Sequence, residues 1–169
     1  MQSIDELAAS AGYAISDLMG DDDWEKFDKL TSLEQVQYRY LHADCDDVAA
    51  ILNRLTGWEI RAVNSVQGPL HRLVSAPDGR LADITGWTTL ENIAKLYGAH
   101  RLHISEPGST NVYHQSMLDD DEDFLEVINA LLLIPEEPFT TELRGRLQSF
   151  GASIGLEIES AAKNMRRPE

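Results

Sequence analysis

Apolar residues recur about every 3.6 positions at the start of the chain, which is the period of an amphipathic helix. The apolar stripe between residues 3 and 19 comprises Ile4, Leu7, Ala8, Ala11, Ile15 and Leu18. We expect a first helix here, ending at Gly20, because glycine is typical of a helix end. The acidic run Asp21 to Asp23 follows, and we interpret it as the solvated exit of this helix.

The same period predicts a second helix from Thr31 to Ala43. Ser32 and Gln35 have the spacing of a capping box, in which the side chain of each residue accepts a hydrogen bond from the backbone amide of the other. Such a pair marks the start of a helix.

A third helix is predicted to begin at Asp44 or Cys45 and to end at Gly57. Asp44 suits the N-cap position because its short carboxylate can accept hydrogen bonds from first-turn amides, and Asp47 is placed to reach back. Cys45 therefore lies in the first turn of a helix.

After Gly57 the pattern changes to short runs rich in β-forming residues, which predicts strands. These runs are Trp58 to Val66, Leu70 to Ala76 and Arg80 to Thr85. Pro77, Asp78 and Gly79 favour a tight turn, because Pro fixes φ, Asp binds its own backbone and Gly adopts the left-handed conformation. We therefore expect a hairpin between the last two runs.

Helical spacing returns towards the C-terminus. A short helix is predicted from Thr88 to Leu96, and Arg101 to Ile104 is a candidate strand. A further helix covers Phe124 to Ile134, with acidic residues before it that suit a helix start. Pro135 and Pro138 interrupt the pattern, and the remainder up to Ala162 has a helical spacing weakened by three glycines. The tail 163–169 is expected to fray.

This order of elements predicts an α+β fold, with N-terminal helices, a central antiparallel β-sheet containing a hairpin, and C-terminal helices. No internal repeat, low-complexity linker or shift of composition divides the chain. Residues 1–169 are therefore expected to form a single domain, which is large enough to bury a sizeable core.

Composition narrows the function classes. Fourteen basic residues against 29 acidic ones give a formal net charge of −15, which argues against direct nucleic-acid binding because that binding depends on cations. No apolar run is long enough to cross a membrane, and the N-terminus has no basic segment typical of a signal peptide. We expect a cytoplasmic protein, and its single cysteine suits a reducing compartment.

Cys45, His71 and Asp83 are the candidate catalytic residues. A thiol enzyme needs a nucleophile, a base to take its proton and a group that orients the base. If the hairpin pairs Ala76 with Arg80, Leu73 faces Asp83, and His71 becomes the diagonal neighbour of Asp83 on the same face. A first-turn position also gives Cys45 backbone amides that favour negative charge.

The segments that carry these residues resemble the core of the papain-like and transglutaminase-like thiol enzymes. They are Asp44 to Trp58 (DCDDVAAILNRLTGW), Leu70 to Val74 (LHRLV) and Pro77 to Asp83 (PDGRLAD). That superfamily has a Cys that opens a helix, a His on the next strand and an Asp on the strand after it. The resemblance covers about residues 40–88.

The resemblance implies acyl-transfer chemistry at a protein or peptide amide: hydrolysis, deamidation or cross-linking. It makes Cys45 the nucleophile, His71 the general base and Asp83 the orienting group. Many small members of the group are toxins, effectors or phage factors, and this chain is a candidate for such a role. Gln35 or Gln37 could donate to an oxyanion, and Trp87 could cover a groove beside the triad.

Two other interpretations of the sequence stay open. His42, Asp44 and Asp46 could supply ligands to a divalent ion on a loop or strand, although alternate residues do not share one helix face, and we predict no metal and no cofactor. A non-enzymatic protein on the same scaffold could use its acidic surface to bind a basic protein partner. The sequence leaves the oligomeric state undetermined.

Overall fold

A computed structural model describes residues 2–106, 121–134, 141, 143–146 and 149. In this part of the chain the helices are α1 Ile4–Ile15, α2 Asp21–Asp28, α3 Ser32–His42, α4 Cys45–Thr56, α5 Leu90–Tyr97 and α6 Asp121–Leu131, with a 3-10 helix at Ser16–Leu18. Residues 141, 143–146 and 149 are also helical. The strands are β1 Glu59–Ser65, β2 Gly68–Ser75, β3 Leu81–Asp83, β4 Gly86–Thr88 and β5 His103–Ile104.

The strands described form one antiparallel sheet in the order β4-β3-β2-β1-β5. On one face, buried residues such as Val74 and Ala82 pack with helix α4, and on the other Leu73 and Leu81 pack with Ile93 of α5. The two faces alternate along each strand, as the pleat requires. The α+β class predicted from the sequence is confirmed.

The β2–β3 hairpin has the predicted register. Val74 pairs with Ala82 and Ser75 with Leu81, and the Ala76 amide donates to the Arg80 carbonyl at 2.8 Å. Gly79 closes the turn at φ 88°, a backbone conformation that is unfavourable for any residue with a side chain. Turn chemistry therefore determines which residues of the two strands meet.

Helix α2 corrects the interpretation of the acidic run. Asp21 to Asp23 do not form an exit from the first helix; they form the first turn of α2, with Gly20 as its N-cap. Three carboxylates stabilise the positive end of that helix, and Asp23 accepts from the Gly20 amide at 3.2 Å. Gly20 therefore begins a helix instead of ending one.

Two helix starts and one strand also differ from the prediction. The capping box of α3 is formed by Thr31 and Glu34, one residue before the predicted Ser32 and Gln35. Helix α5 is capped by Thr89, because Thr88 is the last residue of β4, a strand the sequence pattern did not predict. Its three residues are too few to show a period.

Residues 141, 143–146 and 149 of the predicted helical segment up to Ala162 are helical. The rest of that segment and the tail 163–169 lie outside the described residues. Among the helices described, none combines the length and the apolar composition needed to cross a membrane.

Candidate active site

His71 and Asp83 form a buried pair on one face of the sheet. His71 Nε2 lies 3.0 Å from Asp83 Oδ2, and their side chains are 0% and 3% exposed. The hairpin register accounts for this contact: Val74 pairs with Ala82, and the same register continued by one residue places Asp83 beside Leu73, two residues from His71. The predicted diagonal contact between the two residues is confirmed.

The second oxygen of Asp83 is held by the residue that follows the strand. Asp83 Oδ1 accepts from the Thr85 amide at 2.8 Å and from the Thr85 hydroxyl at 2.6 Å. Each carboxylate oxygen thus has its own donor, and the group is fixed in orientation. A carboxylate fixed in this way sets the orientation of the imidazole that binds it.

Cys45 approaches His71 from the start of helix α4. Its side chain is close enough to interact electrostatically with the His71 imidazole, and Cys45 is half-buried. The next residue of the helix, Asp46, pairs with the next residue of the strand, Arg72, at 3.0 Å. Neighbouring strand residues point to opposite faces, so the first turn of α4 interacts with side chains from both faces of β2.

Arginines offset the carboxylates that flank the nucleophile. Asp44 Oδ2 accepts from Arg39 Nε at 2.7 Å, and Asp46 Oδ1 binds Arg72 Nη1 at 3.0 Å. The Cys45 sulfur lies 3.9 Å from that same Asp46 oxygen. The negative charge next to the thiol is therefore partly neutralised by pairing.

The pairing with Arg39 also changes how helix α4 begins. Asp44 occupies the N-cap position, but its side chain makes no capping hydrogen bond. The predicted capping role of Asp44 is therefore wrong, because Arg39 binds its carboxylate. The Cys45 and Asp46 amides at this helix end are consequently left without a side-chain cap.

The surroundings of His71 favour its charged form. Burial disfavours the imidazolium, but the hydrogen bond with Asp83 and the electrostatic interactions with Asp83 and Cys45 outweigh burial and raise the pKa of His71 to about 9. His71 is therefore protonated at neutral pH in the folded protein.

No protein-family model matches the chain, and no curated protein or solved structure matches it. The papain-like and transglutaminase-like resemblance accordingly stays a prediction.

Tyr97 is a site residue that sequence reasoning missed. Its hydroxyl oxygen lies 3.2 Å from His71 Nδ1, and the same hydroxyl donates a hydrogen bond to the Leu41 carbonyl. Tyr97 is the last residue of α5, before the left-handed Gly98. The helix predicted from the sequence ends at Leu96, one residue before Tyr97.

The structure brings neither Gln35 nor Trp87 to the triad. Gln35 donates its amide to the Phe27 carbonyl at 3.1 Å. Trp87 lies opposite Ala82, on the sheet face away from Asp83, and its ring centroid is 5.3 Å from that of Trp58. The predicted groove cover is therefore wrong, because the strand alternation points Trp87 to the other face.

Gln37, the second predicted oxyanion donor, lies half-buried on α3. Within the described ranges, no group of three His, Cys, Asp or Glu side chains is arranged to hold a metal ion. The residues considered as ligands have other contacts: the His42 ring packs between Tyr38 and Tyr97, and Asp44 pairs with Arg39.

Proposed function

We propose that this protein is a cysteine-dependent amide hydrolase or acyl transferase that acts on a protein or peptide amide. Cys45 is the nucleophile, His71 the general acid and base, and Asp83 the group that orients His71. The observation that carries the proposal is the buried His71–Asp83 pair at 3.0 Å, with the Cys45 side chain interacting with the same imidazole.

Acylation uses the thiolate and the protonated ring. The Cys45 sulfur attacks the carbonyl carbon of the amide and forms a tetrahedral adduct. When the C–N bond breaks, the proton of the imidazolium passes to the departing nitrogen, and a thioester on Cys45 remains. Asp83 keeps the ring in place while its charge changes.

Deacylation reverses the roles. Neutral His71 takes a proton from the attacking nucleophile, which adds to the thioester carbonyl, and the sulfur leaves as a thiolate. A water nucleophile completes hydrolysis of a peptide bond or deamidation of a side chain. An amine nucleophile completes transfer or cross-linking, so the same residues serve either outcome.

The first turn of α4 supports stabilisation of the oxyanion. Backbone amides at a helix start carry partial positive charge and lack intrahelical acceptors. Because the Asp44 side chain makes no capping bond, the amides of Cys45 and Asp46 are suited to donate to the tetrahedral oxygen. This assigns to the backbone the role that the sequence analysis gave to Gln35 or Gln37.

The fold supports the resemblance to the papain-like and transglutaminase-like enzymes. A cysteine opens a helix, a histidine lies on a strand of the sheet that this helix packs against, and an aspartate follows on the next strand. We therefore include that superfamily core, about residues 40–88, in the proposal.

The test is turnover of an activated acyl ester, followed by mass spectrometry of the intact protein. With p-nitrophenyl acetate, we expect acetyl on Cys45, release of nitrophenolate and continued turnover. Cys45→Ala should remove the adduct, and His71→Ala should reduce both acylation and deacylation at least 100-fold, in the range typical of general acid–base catalysis. His103→Ala, which removes an exposed histidine, is the matched control.

Acetylation that is equally fast in the folded His71→Ala variant would contradict the proposal. The non-enzymatic interpretation then gains support, and binding of a basic protein partner with steep salt dependence becomes the next property to measure.

A further inference from the structure

The hydrogen bonds of Tyr97 determine where its hydroxyl proton lies. A tyrosine hydroxyl has one hydrogen to donate, and here it donates to the Leu41 carbonyl, which can only accept. Towards His71 Nδ1, at 3.2 Å, the same hydroxyl therefore offers a lone pair. Nδ1 must carry a hydrogen to complete this contact.

The other ring nitrogen has the same requirement. Asp83 Oδ2 is a carboxylate oxygen and accepts from Nε2, so Nε2 also carries a hydrogen. The groups that face the ring are Asp83 from β3, Cys45 from α4 and Tyr97 from α5. His42 of α3, whose ring contacts that of Tyr97, also interacts electrostatically with His71. Asp83 and Tyr97 thus both bind the doubly protonated ring.

We propose that Tyr97 is a positioning residue of this site, whose hydroxyl oxygen holds the Nδ1 hydrogen of His71 next to Cys45. The inference rests on the proposed function and adds Tyr97 to the residues that position the His71 ring. The hydrogen on Nδ1 is the one that passes to the departing nitrogen, since Asp83 occupies Nε2. The contact with the Tyr97 hydroxyl fixes the direction of this hydrogen in the resting enzyme.

The position of Tyr97 in the fold suits such a role. Leu41 lies near the end of α3, four residues before Cys45, and Tyr97 is the last residue of α5. One hydroxyl therefore links the segment that carries the nucleophile to the base. The Tyr97 ring also packs against His71, with centroids 5.9 Å apart, which limits rotation of the imidazole.

The test is the titration of His71 in Tyr97→Phe, followed by NMR of nitrogen-15-labelled histidine. Phenylalanine keeps the packed ring and removes the acceptor, so the imidazolium loses a hydrogen bond made to its charged form. We expect the His71 midpoint to fall by about one pH unit. Tyr38→Phe, which removes a hydroxyl from the ring that stacks on His42, should leave the midpoint unchanged.

A second measurement, on the unmodified protein, does not depend on whether the Tyr97→Phe variant folds. At pH 7 both ring N–H protons of His71 should be visible, and the Nδ1 proton should show a contact with the Tyr97 ring. A single ring proton at that pH, or an unchanged midpoint in folded Tyr97→Phe, would overturn the inference.

The two proposals fail separately. The role of Tyr97 is read from ring protons and a titration midpoint, which need no turnover, whereas the enzymatic function is read from acyl transfer on Cys45. Turnover that depends on His71, with an unchanged midpoint in Tyr97→Phe, overturns the role of Tyr97 alone.

Discussion

His71 and Asp83 are twelve positions apart in the chain, and Nε2 of one lies 3.0 Å from Oδ2 of the other in the protein interior. The contact couples folding to protonation, because the pKa of His71 rises from 6.5 to about 9 on folding. A raised pKa means that the folded state binds the proton more tightly than the unfolded state.

Stability should therefore depend on pH through His71. Protonated His71 contributes about 3 kcal/mol to the free energy of unfolding. This contribution is fully present below pH 6.5 and is lost as the pH rises through about 9. Urea denaturation between pH 5.5 and 9.5 measures it. His71→Gln should lack this decline, and the exposed-residue variant His103→Gln should keep it. Equal slopes in His71→Gln and the unmodified protein would contradict the linkage.

Arg39 should be essential for stability. It bridges Asp44 at 2.7 Å and Glu126 at 2.8 Å with a side chain that is 11% exposed, and so connects α3 and α6 to the start of α4. Arg39→Ala leaves two partly buried carboxylates without their counterion, and we expect a loss of about 3–5 kcal/mol in chemical denaturation.

The matched control for Arg39 is Lys29→Ala, which breaks an exposed pair with Glu25 and should change stability little. Similar effects of Arg39→Ala and Lys29→Ala would show that the buried pairs do not stabilise the start of α4.

The hairpin that joins the two strands of the site makes a third prediction. Gly79→Ala introduces a Cβ that meets no atom within 4 Å, so its cost is conformational and arises from φ 88°. We expect a loss of about 1 kcal/mol with the register unchanged. Gly145→Ala, at an exposed helical position, should instead stabilise the protein slightly. An equal gain at Gly79 would argue against this turn.

The hairpin was predictable because its information is local. Pro77 to Gly79 specify the turn, and a strand period of two then fixes which face each residue occupies. Once Ala76 is paired with Arg80, the contact between His71 and Asp83 follows. The start of α4 at Cys45 was likewise encoded in the apolar stripe that follows it.

The sequence did not reveal contacts that depend on residues far along the chain or on two groups competing for one side chain. Asp44 has the properties of an N-cap, but Arg39 binds its carboxylate, and this choice needs the packing of α3 beside α4. Tyr97 reaches His71 only because α5 crosses the sheet face. Helix α2 has a charged first turn and few apolar residues, so the sequence shows no apolar helical period there.

The central claim is that Cys45 and His71 act as one pair, and the pH dependence of Cys45 alkylation tests it most directly. The chain has one cysteine, so iodoacetamide labelling of the folded protein reports on this thiol alone. We predict fast alkylation that persists below pH 7 and is lost in His71→Ala, because the imidazolium stabilises the thiolate. Alkylation with the pH profile of a free thiol, unchanged in folded His71→Ala, would contradict the account.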